Sequence, residues 1–151
     1  SIPKTLIRDP VTYAGSLPDL QPAEAVIADI VATPISPELT KQKGKALSQE
    51  TESLIGPYVL HDFFIFHVLR YGDAPAKISY LATKAFTGTY SKKEIEKWLS
   101  LFYERFANNQ FKRSVMPDGP KVGSIALSPR GDWRMPSDMH SAVWTDVFAV
   151  Q

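Results

Sequence analysis

The chain has 151 residues, no cysteine, 44% hydrophobic residues and a formal net charge of +1. The missing cysteine excludes a disulfide scaffold, a thiolate zinc site and a cysteine nucleophile within these residues, and the balanced charge gives no global attraction to nucleic acid or an acidic membrane. No apolar run approaches ~18 residues and no charged stretch precedes an apolar one, so neither a transmembrane helix nor a signal peptide is expected, and a cytoplasmic location fits.

The length suits one domain or a piece of one. The opening Ser1-Ile2-Pro3-Lys4 reads as a start in mid-element, which suggests a fragment or a processed product. A helix is expected to begin within Ile2–Tyr13, broken at Asp9-Pro10 because proline lacks a donor and crowds the preceding turn. Gly15 to Gln21 reads as a turn or loop. Pro22 then opens a short helix with Ala23, Val26, Ile27 and Ile30 on one face, ended by Thr33-Pro34. The polar run 40–52, with Lys41, Lys43, Lys45 and Gly44, reads as a mobile loop that orders on binding.

Gly56-Pro57 starts a helix that is apolar nearly all round and so is expected to be buried on most sides. Gly72 ends it, and Asp73 is a candidate cap for a helix carrying Ile78, Leu81, Ala82 and Ala85. The clearest helix follows. Ser91 and Glu94 form an S-x-x-E capping box, and Ile95, Trp98, Leu99, Phe102, Tyr103 and Phe106 recur at helical spacing as one apolar stripe. No strand is convincing, although Val122 to Leu127 is a candidate extended piece, and the chain taken alone is expected to be mainly α.

The run 110–138, QFKRSVMPDGPKVGSIALSPRGDWRMPSD, has neither a 3.6 nor a 2.0 period. It holds three glycines, four prolines, five basic residues and three aspartates. A stretch this long without periodicity is either disordered or functional. Its apolar anchors, Phe111, Val115, Met116, Val122, Ile125, Leu127 and Trp133, argue for order, and its spaced cations argue for an anionic ligand, so it is read as an irregular binding segment.

Phe111-Lys112-Arg113 sets two cations beside a ring at a helix end. They could hold phosphate or carboxylate, or simply complement the helix dipole. Arg130, Asp132 and Arg134 could form a buried ion-pair network that braces a loop, or an interface anchor. His61 and His67 are six apart and do not share a helix face, so a two-histidine metal site is not expected; His140 stands alone. Asp62, a carboxylate among apolar neighbours, needs a partner if buried. No familiar phosphate-cradling loop and no G-x-S-x-G occurs, so no catalytic residue and no metal ligand is assigned within the chain.

Taken together, SIPKTLIR, ATPISPEL, ETESLIGPYVLHDFF, YSKKEIEKWLSLFYERF, the run 110–138 and the closing SAVW resemble the C-terminal part of glutamine-dependent NAD+ synthetase. The resemblance implies that residues 1–151 are the C-terminal helical portion of a doubly wound α/β synthetase domain of the ATP-pyrophosphatase type. It implies an amidoligase that adenylates deamido-NAD+ with ATP, as its Mg2+ complex, and lets ammonia displace AMP. An N-terminal glutaminase would release that ammonia from glutamine, in a homodimer or larger assembly. Residue by residue, Lys112 matches a lysine that contacts deamido-NAD+, with Phe111 beside it. Lys4 in PKTL and Ser36 in SPEL match positions that contact ATP, and Asp132 with Arg134 matches a pair at the glutaminase–synthetase boundary, implying a coupling role. The S-G-G-x-D-S pyrophosphate loop and the glutaminase are absent from these residues, so the chain alone is expected to be inactive and prone to self-association. Two other readings stay open: a helical module that binds nucleic acid through its lysines and arginines, against which the interleaved acidic residues weigh, and an oligomerisation domain built on Tyr58–Tyr71.

Overall fold

The computed structural model describes residues 2–3, 5–33 and 51–149, and among them every regular element is helical. They fall into two compact units, one ending at Tyr58 and one beginning at Val59. The first unit is a small helical pair. Its first helix, α1, runs Arg8–Gly15, straight through Asp9-Pro10. The expected break does not occur because Pro10 falls in the first turn, where a backbone N–H has no intrahelical acceptor to lose. A 3-10 helix over Pro18–Ala23 then replaces the expected loop and leads into α2, Glu24–Ala32.

Gly15 lets α1 and α2 meet. A β-carbon there would lie 3.1 Å from Ile27 Cγ2, so a side chain would push the helices apart. The Arg8 guanidinium donates to the Val31 carbonyl at 2.8 Å and links the same pair. The packed face of α2 is Ala23, Ile27 and Val31, spaced by four, whereas Val26 and Ile30 are exposed. The sequence put Val26 and Ile30 on the packed face, and the structure corrects that. The short α3, Thr51–Ile55, follows; Glu52 accepts the Tyr58 N–H at 2.7 Å, satisfying one of the open donors where the next helix begins. Residues 34–50, which include most of the expected mobile loop, lie outside the described residues.

The second unit has the core. Helix α4, Tyr58–Tyr71, buries Leu60, Phe64 and Val68 at four-residue spacing. Val59, Phe66 and Tyr71 on its other faces are exposed, so it buries one stripe and not most of its circumference. Gly72, at φ +64°, turns the chain in a conformation that costs glycine little. Helix α5 spans Pro75–Ala85, with Ala74 and not Asp73 at its N-cap. Asp73 is already engaged: it accepts from Lys77 Nζ at 2.7 Å and is paired with His67 Nδ1 at 2.9 Å. Those two partners, Lys77 first, hold its carboxyl below the usual carboxylate range.

Helix α6, Lys92–Asn108, has the expected capping box: Glu94 N–H donates to Ser91 Oγ at 3.2 Å, and Ser91 N–H donates back to the Glu94 carboxylate at 2.9 Å. Its stripe of Ile95, Leu99, Phe102, Tyr103 and Phe106 is buried, and Trp98 packs at the edge. Phe64 of α4 lies 5.8 Å from Phe102 between ring centroids. Helix α8, Ala142–Ala149, closes the other side by setting Trp144 5.2 Å from Tyr103. Rings dominate this core because they bury large areas with few rotatable bonds.

Candidate functional site in the segment after helix α6

Helix α6 stops at Asn108, and a separate helical turn, α7, covers Gln110–Ser114. Gln110 is fully buried. A buried amide is costly unless its hydrogen bonds are made, and here both ends are used. Its Nε2 donates to the Met135 carbonyl at 3.1 Å, and its Oε1 accepts from Arg113 Nε at 2.9 Å. The same guanidinium donates to the Phe106 carbonyl and stacks 4.1 Å from the Phe106 ring. Burial lowers the Arg113 pKa, but a guanidinium remains charged at any ordinary pH.

The two cations of Phe111-Lys112-Arg113 therefore separate. Arg113 turns inward onto the Phe106 carbonyl in the last turn of α6, the structural role the sequence left open. Lys112 and Phe111 turn outward and are exposed, with Lys112 Nζ 5.9 Å from the Phe111 ring centre. Among the described residues Lys112 makes no ion pair.

The rest of the segment contains no strand and is held by side chains instead. The candidate extended piece, Val122–Leu127, is irregular and bends at 123–125. Asp132 accepts from Lys121 Nζ at 2.8 Å and from the Ala126 N–H at 2.9 Å. These two, the lysine first, pull its carboxyl below the usual range. Arg130 pairs with Asp118 at 3.0 Å and donates to the Met116 carbonyl. Of the two alternatives for Arg130, Asp132 and Arg134, the buried ion-pair network is not formed: the three residues are exposed, and Asp132 and Arg130 take their ion-pair partners from the outgoing limb of the loop, more than ten residues upstream. Gly131 and Trp133 N–H groups both donate to the Ser128 carbonyl, at 3.1 and 3.2 Å, which closes the tip. Trp133 returns the chain to the core, 5.6 Å from Phe106. Ser114 and Ser137 hydroxyls meet at 3.4 Å, so α7 lies along residues 135–137. Arg70 of α4 reaches Ser124 at 3.1 Å and fixes the outgoing limb.

Of the residues singled out from sequence, Phe111, Lys112, Asp132 and Arg134 thus lie on one cross-linked segment. Lys4 and Ser36 lie outside the described residues. His67 pairs with Asp73, and His140 Nδ1 accepts the Ala142 N–H at 3.1 Å at the start of α8. No group of three or more His, Asp or Glu among the described residues is arranged to hold a metal ion, and no helix there is long and apolar enough to cross a membrane. Sequence reasoning missed Gln110 as an anchor. Its signal was position: it falls four residues after Phe106, where the apolar stripe would continue, and a polar residue in such a place must be paired.

No family model matches the chain. It is 40% identical, over 164 aligned residues covering 96% of its length, to the glutamine-dependent NAD(+) synthetase of Mycobacterium leprae. The corresponding proteins of Mycobacterium tuberculosis and Mycobacterium bovis match at the same identity and coverage. Its curated homologues are glutamine-dependent NAD(+) synthetases. The chain spans about a quarter of the length of these relatives, 24%, in their C-terminal part.

Proposed function

We propose that this chain is the part of an ATP-dependent amide ligase that holds the pyridine-dinucleotide substrate, deamido-NAD+, while nicotinate is adenylated and then amidated by ammonia. The observation that carries the reading is Lys112: in a segment where Arg113, Arg130 and Lys121 are each committed to a carbonyl or carboxylate, Lys112 and Arg134 are exposed and outside any ion pair among the described residues, and of the two it is Lys112 whose ammonium lies beside an exposed ring. An ammonium on a phosphate or carboxylate of the dinucleotide is a point-charge contact, and Phe111 offers a flat apolar face to a base or pyridine ring. Lys4 and Ser36 would contact ATP, which brings its own Mg2+. The remaining three quarters of the relatives' length would supply the pyrophosphate-binding loop and a glutaminase that feeds ammonia from glutamine, in a homodimer or larger assembly. Asp132 and Arg134 would couple the two activities.

The test is NAD+ formation by the protein as its gene encodes it, from deamido-NAD+ and ATP, with glutamine or ammonium as nitrogen donor. Lys112→Ala should lower kcat/KM for deamido-NAD+ by about 10-fold or more with either donor, as expected for one lost charge-assisted contact. Arg134→Ala should lower glutamine-driven turnover more than ammonium-driven turnover. Unchanged kinetics in Lys112→Ala would contradict the binding role, and equal loss with both donors in Arg134→Ala would contradict the coupling role.

A further inference from the structure

We infer that Gln110 and Arg113 are positioning residues that aim Lys112, fixing the α7 turn against both the end of α6 and the returning chain at Met135. The inference rests on the reading of Lys112 as a dinucleotide contact and extends it to why that lysine is held where it is. Gln110 has no exposure to solvent, yet it is an amide in a line of Leu, Phe and Tyr. Its two hydrogen bonds join residues 25 apart and three apart in sequence, at 3.1 and 2.9 Å. Arg113 completes the clamp through the Phe106 carbonyl and the Phe106 ring. Three attachments thus converge on a five-residue turn that is too short to hold its own shape. Lys112 lies between the two clamped residues in sequence and is exposed, while both of them are turned inward. Such an arrangement fixes the backbone beneath an exposed cation. A flexible lysine that must meet one ligand atom gains affinity when its stem is preorganised.

A purely structural clamp would lower stability and all kinetic parameters together. A positioning clamp makes a narrower demand. Arg113→Lys keeps the charge but loses the fork and the ring stacking. In the full gene product it should raise KM for deamido-NAD+ several-fold, with kcat and KM for ATP within two-fold of the parent. In the double variant Lys112→Ala/Arg113→Lys, the Arg113 change should add nothing, because the residue it aims is gone. Gln110→Glu keeps the acceptor for Arg113 but turns an oxygen toward the Met135 carbonyl in place of the N–H donor, so it should not restore the affinity lost in Gln110→Ala. Independent effects of the two changes in the double variant would overturn the inference, as would a fall in kcat equal to the rise in KM. The reading beneath it fails in a different way: Lys112→Ala would then leave KM for deamido-NAD+ unchanged, whatever Arg113→Lys does.

Discussion

Helix α6 and the segment that follows it adjoin in sequence and are held by different physics. The helix is fixed by burial: Ile95, Leu99, Phe102, Tyr103 and Phe106 form a stripe that needs partners on α4 and α8, and the backbone satisfies itself. The segment 115–140 has no repeating backbone bonds. It is held by side chains that reach carbonyls and N–H groups, namely Gln110 to Met135, Asp132 to Ala126 and Arg130 to Met116, with only Trp133 and Leu127 and their neighbours anchoring it to the core. The difference teaches where exposed chemistry can reside. A helix this well buried offers little surface to a ligand, whereas a cross-linked irregular segment can present a cation such as Lys112 without giving up order.

The contrast can be broken from the helix side with the largest effect. Leu99 is fully buried, and Leu99→Ala should cost about 2–5 kcal/mol in chemical denaturation, the range for a core cavity. A loss under about 1 kcal/mol would mean that the stripe is not the main support. On the segment side the expected effect is smaller. Gln110→Leu strips the Met135 carbonyl and Arg113 of a buried partner and should cost about 1–3 kcal/mol, with hydrogen exchange rising at 133–137 before it rises in α6. Ser91→Ala removes the N-cap of α6 and should cost about 1 kcal/mol; the helix should fray at its first turn while Phe102 and Phe106 keep their ring-current shifts.

The smallest effect belongs to the loop tip and depends on pH. Asp132 has a native pKa below its ordinary value, through Lys121 first and the Ala126 N–H second. A depressed carboxylate contributes stability that is fully present above the unfolded value of about 3.9 and is lost as pH falls through the lower native value. Backbone NMR signals of 121–132 should therefore hold steady down to about pH 4 and shift below it, and in Asp132→Asn that acid shift should vanish. An acid shift that survives the substitution would assign the brace to another group.

The helices were legible because their physics is local. The α6 capping box and stripe follow from spacing alone, and the structure reproduces both. Where the sequence reading failed, nonlocal partners decided. Asp73 looked like a cap, but it is held by His67 and Lys77. Val26 and Ile30 read as a packed face, but Gly15 admits Ile27 and so sets the contact one position away. Asp132 was read with its neighbours Arg130 and Arg134, yet its partner Lys121 is eleven residues upstream, across a loop whose path has no period to reveal it. At the site, the motif singled out Lys112. Spacing could not show that Arg113 beside it would turn the other way, because that depends on the Phe106 carbonyl and ring and on Gln110, itself held by the distant Met135 carbonyl.

The central claim is that Lys112 holds deamido-NAD+, and equilibrium binding of that dinucleotide to the full gene product tests it without relying on turnover. The account predicts that Lys112→Ala raises Kd about 10-fold or more, in the range of a lost charge-assisted contact, and that the difference between the two proteins narrows as salt is raised. Equal Kd values at low salt would contradict it.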